Sequence, residues 1–136
     1  MSNRYVLDSF AILALLNNEP GAARVEDLLR QTREGSRVVM SLINLGEVAY
    51  IVERRWGAEK LRAMLAYLEA AALEVMAVDR DQVFAAAHIK ARYPLAYADA
   101  FAVALTRELE ATLLTGDPEF KGVSDFITVE WLSGDP

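Results

Sequence analysis

The stretch “LLTGDPEF”, residues 113–120, has the pattern of a buried strand that runs directly into a sharp polar turn. The apolar residues at its start predict a strand, which extends over “ATLLT”, residues 111–115. Gly116, Asp117 and Pro118 are residues that favour turns. The stretch therefore puts a carboxylate at the end of a strand. The residues that surround this carboxylate must come from other parts of the chain.

The composition is that of a folded domain without a membrane or secretion signal. The chain has 136 residues, of which 54% are hydrophobic and 25% charged, so we expect one domain over residues 1–136. The longest early apolar run, “FAILALL”, is too short to span a membrane. The absence of cysteine excludes a disulfide framework and a thiolate metal site. A cytoplasmic protein is the expectation.

Short apolar runs alternate with longer helical patterns along the chain. The sequence predicts strands at “RYVL” (4–7), “RVVM” (37–40), “ATLLT” (111–115) and “FITVEW” (126–131), with a further short apolar run, “LEVMAV” (73–78). It predicts helices after Asp8 or Ser9 and within residues 19–35, 41–57, 58–71, 79–93 and 97–109. Parallel neighbours need long crossovers, so this alternation predicts an α/β fold with a central, mostly parallel sheet flanked by helices.

Polar residues follow three of the predicted strands. Asp8 and Ser9 follow the first strand, and Ser41 follows the second. Thr115 and Asp117 stand at the end of the strand that contains “TLL”. Ligands of parallel sheets gather beyond the carboxyl ends of the strands, so these side chains are candidates for one site.

Two acids on predicted helices could join that site. Glu47 lies in the helix after the second strand, and Asp99 lies near the start of the helix that precedes “ATLLT”. Asn44 shares a helix face with Glu47, because the two residues are three positions apart. We therefore expect Asp8, Glu47, Asp99 and Asp117 to converge on one rim of the sheet.

Each acid also has a purely structural interpretation. Asp8 could only cap a helix, Asp99 could only complement a helix dipole, and Asp117 could only make a turn. Glu47 could simply face solvent on an amphipathic helix. The coincidence of all these acids at one predicted rim favours a functional site.

Converging carboxylates favour a particular chemistry. Two carboxylates about 5 Å apart repel by roughly 3 kcal/mol at an effective dielectric constant of about 20. Either some of them are protonated or a cation lies among them. Oxygen ligands without histidine or cysteine suit Mg²⁺ or Mn²⁺, and such an ion would assist attack on a phosphate.

Several other classes of enzyme are excluded or weakened by the residues that the chain lacks. His88 is the single histidine, so an acid–base ribonuclease with two histidines is excluded. Serine or cysteine nucleophile triads also lack a partner, and the chain has no cysteine. The glycines are scattered, so neither a Walker loop nor a dinucleotide-binding loop is present.

Four stretches together carry a family resemblance: “YVLDSFAILALL” (5–16), “SLINLGEVAYIVERR” (41–55), “YPLAYADAFAVALTREL” (93–109) and “ATLLTGDPEF” (111–120). In this order they resemble a PIN-domain protein, specifically a VapC-type toxin of a toxin–antitoxin pair. The resemblance implies a three-layer α/β sandwich. It also implies an endoribonuclease that cleaves single-stranded regions of RNA with one or two Mg²⁺ or Mn²⁺ ions.

The resemblance also assigns roles to individual residues. Asp8, Glu47, Asp99 and Asp117 match the acidic, metal-binding positions of the family. Ser9, Asn44 and Thr115 match polar positions that support those carboxylates or nearby water. Proteins of this family are usually homodimers that a cognate VapB-type antitoxin holds inactive, so the implied partners are this antitoxin, a second copy and RNA.

Other assignments stay open at the level of the sequence. Either Glu119 or Asp125 could assist Asp117. The formal net charge of −6 is unusual for an RNA-binding protein. The candidate contacts with phosphates are two pairs of cationic residues: Arg54 with Arg55, and Lys90 with Arg92. Two rival functions are considered. One is a receiver-type signalling domain, but its phosphoacceptor aspartate and its lysine have no match in this sequence. The other is a catalytically silent PIN-like module that binds RNA or protein.

Two features of the sequence concern helix packing or a protein interface. Phe10 and other apolar residues of the first and third helices could form an exposed stripe or simply fill the core. Gly46 is unfavourable inside a helix, so we expect another backbone to approach it closely.

Overall fold

Parallel strands form the centre of the molecule in the computed structural model, which describes residues 3–132. The strands are β1 (Arg4–Leu7), β2 (Arg37–Ser41), β3 (Glu74–Met76), β4 (Thr112–Thr115) and β5 (Thr128–Trp131). They form one sheet in the order β3-β2-β1-β4-β5, and every neighbouring pair is parallel. The prediction of a parallel α/β sheet is confirmed, and the short run at 73–78 supplies edge strand β3.

Six α-helices connect the strands: α1 (Ser9–Leu16), α2 (Ala22–Gln31), α3 (Leu42–Trp56), α4 (Ala58–Ala70), α5 (Arg80–Arg92) and α6 (Tyr97–Leu109). Local signals in the sequence set most of their ends. Asp79 and Gln82 form a capping box at the start of α5. Gly57 separates α3 from α4 with a φ of 96°, a left-handed conformation that glycine adopts readily.

Helix α2 begins two residues later than Pro20, where the sequence indicated a start. Gly21 precedes the helix with a φ of 99°. A Cβ atom at this position would lie 2.9 Å from Cβ of Leu132, so the chain passes too close for a side chain. The start of α2 is therefore set by a contact with the far end of the chain, which local sequence does not reveal.

The sheet separates two hydrophobic clusters, and this arrangement confirms the three-layer sandwich. Alternate residues of a strand point to opposite faces, so Val6 and Leu113 pack with α5 and α6. Their neighbours Leu7 and Leu114 pack with α1 to α4. Parallel strands covered on both faces carry apolar residues on both faces, as the buried pairs Val6–Leu7 of β1 and Leu113–Leu114 of β4 do.

The order of the strands determines where the candidate site lies. The chain runs from β1 to β2 and β3 on one side, and then returns to the other side of β1 with β4 and β5. The strand order thus reverses between β1 and β4, whose residues Leu7 and Leu114 are paired. A crevice beyond the carboxyl ends of such strands is the usual ligand site of an open α/β sheet. Asp8 follows β1 and Asp117 follows β4, so both acids border this crevice.

The structure resolves the two packing signals of the sequence. Val48 and Val52 of α3 are buried in the core, whereas Phe10 of α1 is 38% exposed. The expectation for Gly46 is wrong, because a Cβ atom there would meet nothing within 4 Å. Gly46 lies on the exposed face of α3, where no neighbouring backbone requires it.

No helix within residues 3–132 combines the length and the apolar character that a membrane crossing requires.

Candidate metal centre

Asp8 has both of the roles that the sequence allowed, helix cap and site residue. One of its carboxylate oxygens accepts a hydrogen bond of 2.9 Å from the backbone N–H of Ala11 and caps α1. The other accepts from the hydroxyl of Thr115 at the end of β4. The Thr115 hydroxyl in turn accepts from the backbone N–H of Asp117 at 3.0 Å. These bonds tie the ends of β1 and β4 together at the crevice.

Asp8 is only 1% exposed, and burial raises its pKa to about 7. The hydrogen bonds from Thr115 and from the Ala11 N–H oppose this rise, because they stabilise the charged form. The negative charges of Asp99 and Asp117 raise the pKa further. The charges of both acids therefore act on Asp8, even though its own oxygens accept hydrogen bonds from Thr115 and Ala11.

Three carboxylates lie closer together than any others in the part of the chain that the structure describes. Oxygens of Asp99, Asp117 and Glu119 all lie within 4.8 Å of one another. Asp99 occupies the first turn of α6, and Asp117 caps the 3₁₀ turn Pro118–Val123. The backbone N–H of Glu119 donates to Asp117 at 2.9 Å, so the turn brings Glu119 back toward the crevice.

The electrostatics of Asp99 show the cost of this proximity. Burial is the largest cause that raises its pKa to about 7. The charges of Asp117, Glu47 and Glu119 raise the pKa further, as does a hydrogen bond with Glu119. Asp99 therefore tends to hold a proton near neutral pH when no cation balances the surrounding negative charge.

Glu47 and Ser9 form a second layer beside the three clustered acids. The Ser9 hydroxyl donates to a carboxylate oxygen of Glu47 at 2.6 Å, which joins α1 to α3. Glu47 is near enough for its charge to raise the pKa of Asp99. The structure therefore brings all the predicted acids to one rim, but the group with mutually close oxygens contains Glu119 in place of Asp8 and Glu47.

The side chain of Asn44 forms a hydrogen bond with the backbone of α6. Its side chain is completely buried, and its amide N–H donates to the carbonyl of Ala98 at 3.1 Å. This bond fixes the start of α6, and hence Asp99, against α3. The Oδ1 atom of Asn44 has no hydrogen-bond partner among residues 3–132. A bound water is the usual partner of such a buried atom, in line with the predicted supporting role.

Either Glu119 or Asp125 could assist Asp117, and their positions in the structure distinguish the two residues. Glu119 belongs to the acidic cluster, whereas Asp125 lines an open cleft of about 570 Å³ with Ala111 and Thr128. These two residues lie at the amino-terminal ends of β4 and β5, so this cleft is at the opposite end of the sheet. In sequence, the signal for Glu119 is the Asp-Pro-Glu turn, in which Asp117 caps the 3₁₀ segment.

The four predicted cationic residues lie in two different places. Helices α5 and α6 are joined by residues 93–96 and pack against each other, with Ala85 of α5 beside Ala104 of α6. This arrangement puts the end of α5, which carries Lys90 and Arg92, near the start of α6, the helix that carries Asp99. Arg92 also donates to the ring and carbonyl of His88 at 3.0 Å.

Arg54 and Arg55 lie farther from the acids. They are at the end of α3, about 10 Å along the helix axis from Glu47 at a rise of about 1.5 Å per residue. Arg54 lies over the ring of Tyr50, and Arg55 lies over the ring of Trp56. The predicted phosphate contacts of all four cationic residues stay predictions.

The residues present fit a hard divalent cation. The cluster offers carboxylate oxygens from three residues within 4.8 Å, and their mutual repulsion raises the pKa of Asp99. Binding a cation relieves this repulsion and adds no strain to the sheet, because every acid follows a strand or belongs to a helix or turn that is already formed. Oxygen ligands in this number suit Mg²⁺ or Mn²⁺.

The chain is similar to known proteins over most of its length. Residues 5–125 match the PIN domain family. A ribonuclease VapC of Mycolicibacterium smegmatis is 32% identical over 124 residues, which cover 86% of this chain and 90% of that protein. VapBC2 from Rickettsia felis, solved with a DNA fragment from its promoter, contains a chain with a TM-score of 0.74 at 18% identity, covering 93% of this chain and 97% of that chain. A toxin–antitoxin complex from Klebsiella pneumoniae gives a TM-score of 0.69 at 16% identity, with coverages of 93% and 95%.

Proposed function

The chain belongs to the PIN domain family and, within it, to the VapC ribonucleases, and from this premise we propose that it is a Mg²⁺- or Mn²⁺-dependent endoribonuclease. It would cleave single-stranded regions of RNA and act as the toxin of a toxin–antitoxin pair. The observation that carries the metal dependence is the close approach of Asp99, Asp117 and Glu119 at the reversal point of the sheet.

The acids divide into two groups by what they contact. Asp99, Asp117 and Glu119 have oxygens that converge, so they would hold the cation directly. Asp8 orients Thr115, and Thr115 orients the backbone of Asp117. Ser9 holds Glu47 beside the cluster. We keep Asp8 and Glu47 as candidate ligands, because the charges of Asp99 and Asp117 act on Asp8, and the charge of Glu47 acts on Asp99.

The bound ion would supply charge neutralisation at a phosphate and a more acidic water molecule. The residues of the chain would perform the remaining tasks. The clustered carboxylates would fix the position of the charge, and Glu47, which is half-buried at the edge of the cluster, would accept a proton. Lys90 and Arg92, at the end of the helix that precedes α6, would contact phosphates on either side of the cleaved bond.

A cognate VapB-type antitoxin is the proposed regulatory partner. A solved neighbour of this fold is a toxin–antitoxin complex. We also propose a homodimer in the cytoplasm. The chain exposes several large apolar side chains that such contacts would cover, including Leu42, Tyr50, Trp56 and Tyr67.

Cleavage of a mixed single-stranded RNA pool tests the proposal. The purified protein is incubated with Mn²⁺, with Mg²⁺ and with EDTA. We expect cleavage by the wild type only with metal, and none by Asp99→Asn. Asp125→Asn is the matched control, because it makes the same change in an exposed acid at the opposite end of the sheet. Its activity should equal that of the wild type.

The alternative function, a catalytically silent module that binds RNA or protein, gives a different result. Such a module would bind RNA without metal-dependent cleavage, and Asp99→Asn would bind as the wild type does. Equal cleavage by the wild type and Asp99→Asn would instead reveal a contaminating nuclease. The name of the curated relative, a ribonuclease, favours the enzyme over the silent module.

A further inference from the structure

Phe10 is an exposed aromatic residue at the edge of the metal centre. It lies in the first turn of α1, two residues after Asp8 and directly after Ser9. Its side chain is 38% exposed and belongs to neither of the hydrophobic clusters that cover the sheet. The uncovered part of this apolar ring lies beside a group of carboxylates, where it is accessible to a ligand of the metal centre.

The opposite side of the ring rests on Gly116. A Cβ atom at residue 116 would lie 2.3 Å from Cε1 and 2.7 Å from Cζ of Phe10. Real Cβ atoms do not approach other atoms so closely, so only glycine leaves room for the ring. The φ of Gly116 is not positive, and backbone conformation therefore does not require glycine there. Because Gly116 directly precedes Asp117, the ring is seated between the two strand ends that carry Asp8 and Asp117.

Three other exposed rings have a cationic partner, which the ring of Phe10 lacks in the part of the chain that the structure describes. Arginines cover Tyr50, Trp56 and Phe84 at distances of 4.9 to 5.2 Å from the ring centroids. Within residues 3–132, no aromatic or cationic side chain is paired with Phe10. Its exposed side is open at the rim of the crevice.

We propose that Phe10, seated on Gly116, is a stacking platform for the nucleobase next to the phosphate that is cleaved. This inference rests on the proposed ribonuclease function and adds a substrate contact to it. The acidic cluster would engage a phosphate through its cation, and the attached nucleotides would extend along the rim. An aromatic ring next to such a position binds a base through its π face, whatever the base is.

The platform also gives a physical reason for selectivity toward single strands. A base in a duplex is already stacked on both sides, so it must leave its neighbours before it can contact Phe10. An unpaired base does so at lower cost. Gly116 has the role of a positioning residue, because it holds the ring without touching RNA.

The test is a comparison of KM and kcat for cleavage of an unstructured, mixed-sequence RNA oligonucleotide with Mn²⁺. Stacking of one base contributes about 1–3 kcal/mol, so Phe10→Leu should raise KM about tenfold and change kcat little. Phe10→Trp should keep KM within about twofold of the wild type, because it keeps an aromatic face. Gly116→Ala should raise KM as Phe10→Leu does, since the methyl group displaces the ring.

Phe84→Leu is the matched control. It makes the same change in an exposed phenylalanine, 57% exposed, in the first half of α5 away from the acids. Its KM should equal that of the wild type. The rise in melting temperature with Mn²⁺ should persist in Phe10→Leu and Gly116→Ala, which would show that the metal centre is intact.

The possible failures are distinguishable. If the wild type cleaves RNA and Phe10→Leu has the same KM, the platform is refuted while the ribonuclease stands, and the ring belongs to a protein interface. An equal rise of KM in Phe84→Leu would also refute it. If the wild type shows no metal-dependent cleavage, the proposed function fails and the platform fails with it.

Discussion

Two aspartates at the crevice stay protonated up to a higher pH than ordinary aspartates do. Asp8 and Asp99 have pKa values of about 7, against 3.8 for an unperturbed aspartate, mainly because of burial. Neutral acids at this position cost the protein little, whereas charged acids without a cation repel. The same property that prepares the site for a cation therefore makes the metal-free protein sensitive to pH.

The metal-free protein should be more stable at pH 5 than at pH 8. Between the unfolded pKa of 3.8 and the folded pKa of about 7, the folded state binds more protons than the unfolded state. The free energy of unfolding therefore falls as pH rises through this window and is lowest above it. We expect a loss of about 2 kcal/mol or more, at 1.36 kcal/mol per pKa unit. Urea denaturation in EDTA at several pH values measures it.

Asp99→Asn should weaken this dependence, because asparagine does not titrate and Asp8 then remains as the one aspartate of the pair with a raised pKa. At pH 8 in EDTA the variant should be as stable as the wild type or more so, while its cleavage is abolished. A large loss of stability in Asp99→Asn at pH 8 would instead show that the carboxylate is structural.

Thr115 is the residue that connects the two strand ends. Thr115→Val keeps the shape of the side chain but removes the donor to Asp8 and the acceptor for the Asp117 N–H. We expect unfolding free energy to fall by about 1–3 kcal/mol and Mn²⁺ affinity to fall about tenfold. Thermal melts across a Mn²⁺ titration measure both.

The matched control is Thr106→Val, which removes a buried hydroxyl that donates to the carbonyl of Ala102 within α6. It should leave the affinity for Mn²⁺ unchanged. A similar loss of affinity in both variants would mean that any buried threonine has this effect.

At the scale of elements, the helices were predictable because each carries its own periodicity and caps. Ser41 caps α3 through a bond with the N–H of Ile43, and Gly57 ends it, as the sequence indicates. Contacts between elements were less accessible. The bond from Asn44 to Ala98 joins α3 to α6 across 54 positions in sequence, and no local pattern contains it.

Gly46→Ala should stabilise the protein. Residue 46 is exposed on α3 and a Cβ atom there meets no neighbour, so alanine adds helix propensity without a clash. The expected gain in unfolding free energy is about 0.5–1 kcal/mol. Urea denaturation at pH 5 measures it, with Gly21→Ala as the contrasting variant. The latter should destabilise, because its Cβ atom would strike Leu132 and its φ is 99°.

For the whole molecule, the arrangement of strands converts separate acids into one site. Asp8 and Asp117 follow strands that are far apart in sequence but adjacent in the sheet. Helix α6 delivers Asp99 to the same rim because it begins at the carboxyl end of the sheet. The site therefore exists only when the whole sheet is formed, which couples metal binding to global folding.

Mn²⁺ or Mg²⁺ should raise the melting temperature of the whole chain. A cation at 100 times its dissociation constant adds about 2.7 kcal/mol to the unfolding free energy, or roughly 8 °C for a domain of this size. Differential scanning fluorimetry against metal concentration measures the shift. Asp117→Asn should abolish most of it, and Asp125→Asn should retain it. No shift in the wild type at millimolar metal would contradict the metal centre.

The sequence by itself determined the class of fold and the region of the site. Alternating apolar runs and helical periods specify parallel strands, and turn residues after those strands mark where polar side chains collect. These signals are local, since they depend on residues a few positions apart. Only the tertiary structure decided that Glu119 rather than Asp125 joins the cluster, and that Phe10 rests on Gly116. Such contacts depend on strand order and on distances between elements, and periodicity along the chain contains neither.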